Sequence, residues 1–96
     1  MSELRTPEVE DLLTVFSKIQ DKDDIFLLLE DLFTIREVQD LSSRMEIAVM
    51  LSEKVTYGEI VEKTGASTAT IGRVNRALNY GAGGYERVLE RLKKAE

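Results

Sequence analysis

From Ser67 to Asn79 the chain carries Ser67, Thr68, Thr70, Arg73 and Arg76 and no acid. Hydroxyl and guanidinium groups at helical spacing can donate to phosphate oxygens. They can also read base edges, where threonine offers a hydroxyl and a methyl group and arginine a two-pronged donor. The chemistry open to these residues is recognition. Bond-making chemistry has little to work with, because His 0 and Cys 0 remove imidazole and thiolate metal sites, Ser-His-Asp and Cys-His pairs, and disulfides. The only candidates for titration near neutrality would be carboxylates with shifted pKa values, and the acids here fall at expected helix starts and polar faces where water solvates them. We therefore expect no enzyme, no metal and no cofactor.

The hydroxyl- and arginine-bearing run needs elements to aim it. Thr56-Tyr57-Gly58-Glu59 has capping-box spacing and opens a short helix to about Lys63, which Gly65 ends by accepting a left-handed conformation. Ser67 caps the next helix, which reaches to about Leu78. A short helix, a glycine-containing turn and a second helix make a helix-turn-helix, placed at about 57–78. Counting from Tyr57, Ile60 and Val61 take the fourth and fifth places, Gly65 the ninth, Ala66 the tenth, Ile71 the fifteenth and Val74 the eighteenth. Those are the places that must stay small, apolar or turn-permissive where the two helices cross. An ordinary helical hairpin would meet part of the same pattern.

Polarity separates the two readings. With Ile71, Val74 and Leu78 inward, the outer face shows Ser67, Thr68, Ala69, Thr70, Gly72, Arg73 and Arg76. The N-terminal residues of such a helix reach base edges in the major groove. Ser67, Thr68, Ala69, Thr70, Gly72 and Arg73 are the candidate DNA-contacting residues, with Arg76 and Lys63 toward phosphates. Arg73 and Arg76 as plain solvated residues remain the alternative. Gly72 costs roughly 1 kcal/mol inside a helix relative to Ala, and either close approach of a phosphate or simple tolerance accounts for it.

The rest of the chain reads as helix. Thr6 and Pro7 suit an N-cap and first position for a helix with Val9, Leu12, Leu13, Phe16 and Ile19 on one face. Asp23 or Asp24 caps an apolar helix from Ile25 to Phe33, apolar nearly all round and so in need of cover on more than one side. Thr34-Ile35-Arg36-Glu37 opens a third helix to Glu53, and Tyr85 to Lys94 forms a sixth after a flexible Asn79–Gly84 loop. Three long apolar-faced helices around a small reading unit favour a second copy as cover.

The charge is uneven. The net value is −5, but residues 1–40 carry −7 and residues 41–96 carry +2, so only the second part can face phosphate. The longest apolar runs, Ile25–Leu29 and Ile47–Leu51, are too short for a membrane helix. The opening Met1-Ser2-Glu3-Leu4-Arg5 is unlike a secretory signal, so a cytoplasmic location is expected, and 96 residues suit a single domain.

Phe33-Thr34-Ile35-Arg36-Glu37, Leu41-Ser42-Ser43-Arg44-Met45 and above all Gly65-Ala66-Ser67-Thr68-Ala69-Thr70-Ile71-Gly72-Arg73 resemble the Trp repressor family, in particular its YerC/YecD-type members. The resemblance covers about two thirds of the chain. It implies an all-α, six-helix chain that dimerises by interlacing its first, second, third and sixth helices with the partner's. It implies that Arg44 and Arg73 match the arginines that sandwich an indole ring. Val74 stands where the family's tryptophan-binding member has glycine, and Ala77 where it has a serine holding the ammonium group, so the effector pocket is altered. Gly58 and Val61 replace basic residues of the first reading helix. The expectation is a homodimeric DNA-binding transcriptional regulator, not responsive to tryptophan but open to another small-molecule effector. The alternative is a helical interaction module that has lost DNA binding.

Overall fold

The structure, a computed structural model, describes residues 3–95. Six helices make up the described residues: α1 (Pro7–Ser17), α2 (Lys22–Leu32), α3 (Ile35–Ser52), α4 (Tyr57–Thr64), α5 (Thr68–Tyr80) and α6 (Gly84–Ala95). None is long and apolar enough to cross a membrane. The chain divides after Val38 into two compact units.

In the first unit the helix ends are written by side-chain caps. Thr6 Oγ1 accepts the Val9 N–H at 3.2 Å ahead of Pro7, whose missing N–H costs nothing at a first helical position. Arg5 pairs with Glu10, and the guanidinium holds that carboxyl below its usual range. Helix α1 stops before Ile19, because the Lys18 and Ile19 N–H groups turn to the carbonyls three residues back, Val15 and Phe16, at 3.2 Å each. The expected inclusion of Ile19 in this helix is corrected accordingly. The cap of α2 is also corrected: Asp21, not Asp23 or Asp24, accepts the Asp24 N–H at 3.2 Å. Asp23 and Asp24 then sit in the first turn, where their charge favours the positive end of the helix dipole. No residue of α1 or α2 is fully buried within the chain, though Val9, Phe16, Ile25, Leu28 and Leu29 are half-buried.

Helix α3 opens with a complete capping box. The Thr34 N–H donates to Glu37 Oε1 at 2.9 Å, and the Glu37 N–H to Thr34 Oγ1 at 3.1 Å. It closes on a Schellman pair, Lys54 N–H to Leu51 O at 3.1 Å and Val55 N–H to Met50 O at 3.0 Å. Lys54 occupies the left-handed position of that motif with φ 66°, where glycine is the usual resident.

The core of the second unit is small and specific. Ile47 and Ala48 from α3, Ile60 from α4, and Ile71 and Val74 from α5 are buried together, with Met45, Met50, Leu51, Val55, Val61, Ala66 and Tyr85 packed around them. Leu89 brings α6 inward. Helix α5 packs on both α4 and α6.

A left-handed conformation costs a residue with a Cβ roughly 1–2 kcal/mol, while glycine gives back part of that through the unfolded chain. Lys54→Gly is therefore expected to stabilise the protein by about 0.5–1 kcal/mol, read as a raised urea midpoint at unchanged slope.

Candidate nucleic-acid interface

The reading unit is assembled from short local bonds. Thr56 Oγ1 accepts the Glu59 N–H at 3.3 Å at the start of α4, but Glu59 Oε1 accepts from the Thr56 hydroxyl, so this box is closed on the side chain instead of the backbone. At the other end Gly65 adopts φ 73°, ψ 3° and donates to Val61 O at 2.8 Å. The Thr64 hydroxyl donates to Ile60 O at 2.7 Å and accepts the Ala66 N–H at 3.1 Å, which fixes the turn between the helices. Ser67 then caps α5, accepting the Thr70 N–H at 3.1 Å and donating to Thr70 Oγ1 at 3.0 Å. Ile60 and Ile71 meet in the buried core, which sets α4 and α5 against each other.

That packing divides α5 into two faces. Ile71 and Val74 point into the core, Val74 being 2% exposed. Ala69, Gly72, Arg73 and Arg76 line an outward cavity of about 340 Å³. At 3.6 residues per turn these four positions share one row along the helix, spaced by three, four and seven. Arg73 and Arg76 are exposed and form no ion pair or hydrogen bond among the described residues. Gly72 precedes both along the helix, one position before Arg73 and four before Arg76, and a Cβ built there would meet nothing within 4 Å. Its smallness therefore answers no need inside the chain.

The other expected contact residues fall at different stations. Thr68 is exposed on the first turn of α5. Thr70 is half-buried; its oxygen accepts from Ser67, which leaves its own hydrogen free to donate outward. The Ser67 hydroxyl already makes two bonds inside the chain. Lys63 is exposed on the last turn of α4, outside the row on α5.

Arg44, Arg73, Val74 and Ala77 have different surroundings within the single chain. Arg44 is exposed on α3, Arg73 lines the outward row, and Val74 belongs to the core. Ala77 borders a separate apolar cavity of about 420 Å³ with Met45, Ala82, Gly84, Tyr85 and Val88. The expected flexible loop from Asn79 to Gly84 is shorter than anticipated. Asn79 and Tyr80 complete α5, helped by Asn79 Nδ2 donating to Asn75 O at 2.9 Å, and Gly84 starts α6. Tyr80 is thus a helical residue and not part of a loop.

Comparison with known proteins agrees with this architecture. The profile described as Trp repressor protein matches residues 7–93. The YerC protein of Bacillus subtilis strain 168, described as uncharacterised, is 44% identical over 96 residues, covering 100% of this chain and 92% of its own. The crystal structure of a TrpR-like protein from Eubacterium eligens ATCC 27750 is 53% identical with a TM-score of 0.90, over 95% of this chain and 94% of that one. A crystal structure from Staphylococcus aureus, described as a candidate Trp repressor, is 34% identical with a TM-score of 0.90, over 95% and 91% of the two chains. The chain belongs to the Trp repressor family, a family of regulator-type DNA-binding proteins and not of enzymes.

Proposed function

We propose that the chain is a cytoplasmic, homodimeric, repressor-like transcriptional regulator, a single domain over residues 1–96 that reads double-stranded DNA in a sequence-specific way and does not respond to tryptophan. The observation that carries this reading is the outward row of α5, in which two unpaired arginines share one cavity with Ala69 and with Gly72, where a Cβ would meet nothing. In this reading Thr68, Ala69, Thr70 and Arg73, on the N-terminal part of α5, meet base edges or phosphates, and Arg76 and Lys63 meet phosphates. Dimerisation is supported by apolar surface that one chain leaves open. Phe26 and Leu27 are 56% and 57% exposed, and Val88 and Leu92 on α6 stand open beside the apolar cavity at Ala77 or one turn from it. Interlacing of α1, α2, α3 and α6 would cover these faces.

A second reading, a helical interaction module without DNA binding, draws on Gly58 and Val61 in α4 and on the net charge of −5. Selection from a random DNA pool separates the two. The proposed regulator enriches a palindrome with half-site centres about 10 base pairs apart, or a multiple, whereas the module enriches nothing. Light scattering should give twice 10.9 kDa, and a monomer mass would overturn the interlaced arrangement.

On the selected site, Arg73→Ala should cost about 1–3 kcal/mol with relaxed specificity, and Arg76→Ala should weaken all sequences alike and lower the salt slope by about one. Gly72→Ala is expected to stabilise the fold by about 1 kcal/mol, since the added methyl clashes with nothing in the chain. The same variant should bind DNA more weakly if a phosphate or base approaches that backbone. Opposite signs in melting temperature and affinity are the outcome to look for.

Tryptophan should bind poorly. The Val74 side chain fills core space beside Ile47, Ala48, Ile60 and Ile71, where the resemblance places a glycine beneath the indole. Forcing a ligand against it is overpacking, costing about 1–3 kcal/mol. Ala77 offers no hydroxyl to an ammonium group, a loss of about 1.5–3 kcal/mol. Because the chain has Trp 0, indole fluorescence on titration reports the ligand alone. Saturation at micromolar tryptophan with tighter DNA binding would overturn this part of the proposal.

A further inference from the structure

Helix α5 ends on Tyr80, whose side chain is 87% exposed. Positions 69, 72, 73, 76 and 80 fall within about 100° of arc at 3.6 residues per turn. Tyr80 therefore extends the outward row one turn beyond Arg76. The helix end is fixed sterically: the Gly81 N–H donates to Ala77 O at 2.9 Å, and a Cβ on Gly81 would lie 2.3 Å from that same oxygen. Only glycine lets the chain turn away there, which leaves Tyr80 as the last helical side chain.

The ring takes no part in the core, and its hydroxyl has no hydrogen-bond partner among the described residues. A lone exposed aromatic is ordinary on a protein surface. What distinguishes Tyr80 is its register with two cations that are equally unpaired. From Thr68 to Tyr80 the helix rises about 18 Å at 1.5 Å per residue, while the major groove is about 12 Å wide. A helix that enters the groove by its N-terminal turn thus carries its last turn to the groove wall, where the ligand is a phosphate. Phosphate oxygens accept and do not donate, and a phenol can supply the hydrogen.

We infer that Tyr80 donates a hydrogen bond to a DNA backbone phosphate and so sets how deeply α5 seats in the groove. This rests on the DNA-reading proposal above. The test uses the full chain and the DNA site selected for it. Tyr80→Phe and Tyr80→Ala should each weaken binding about tenfold, on matched and mismatched sites alike. Neither should change the salt slope, because a neutral donor releases no counterion; Arg76→Ala, in contrast, lowers it. Melting temperature and dimer mass should equal the parent's. Unchanged affinity in both variants, beside a parent that binds, overturns the inference and leaves the DNA reading standing. So does normal binding by Tyr80→Phe together with a monomer mass for Tyr80→Ala, which would assign the ring to the contact between copies. A parent that binds no DNA overturns both.

Discussion

The burial of Ile47, Ala48, Ile60, Ile71 and Val74 against one another is what turns three separate helices into an aiming device. Each fully buried aliphatic side chain contributes on the order of 1.5–3 kcal/mol, so this handful outweighs every cap and turn bond in the unit. Its geometric effect is larger still. Once Ile71 and Val74 are inward, the rotation of α5 about its own axis is settled, and Ala69, Gly72, Arg73, Arg76 and Tyr80 have only one direction to face. Ile60 does the same for α4, and the turn between them is tied by Thr64, Gly65 and Ser67 at single-bond precision.

The first unit lives under the opposite condition. Its helices are defined by Thr6, Asp21 and Thr34 at their starts, yet no residue of α1 or α2 is more than half-buried in the chain itself. Capping bonds of about 1 kcal/mol each specify where a helix begins, but they do not supply the burial that keeps a short helix formed in water. The helices of this unit accordingly carry apolar side chains in search of a surface, and their acidic residues sit on the remainder.

Much of this was legible in the residues, for reasons that differ from place to place. Thr34 and Glu37, Thr56 and Ser67 are caps by type and by spacing, and the left-handed Gly65 follows from the same local chemistry. Asp21 is passed over in favour of Asp23 or Asp24, since all three are competent caps and only the chain's path decides among them. Lys54 gave no sign of its positive φ, because that conformation is imposed by the Schellman bonds around it. The run of glycines after Asn79 suggested freedom where one glycine is in fact required by contact, and that reading hid Tyr80. The outward row of α5 was visible through periodicity alone. The neighbours of Val74 in the core are not, because a valine and a glycine at one position imply different interiors only once the surrounding side chains are in place.

Helix α5 keeps its two tasks on residues that do not overlap. Ile71 and Val74 answer to the interior, while positions 69, 72, 73, 76 and 80 answer to nothing inside the chain. Substitutions on that row can accumulate without a toll on folding, so duplicated copies of such a chain can drift apart in what they recognise while sharing one scaffold. The site that would resist drift is Gly81, where any side chain collides with the helix it terminates.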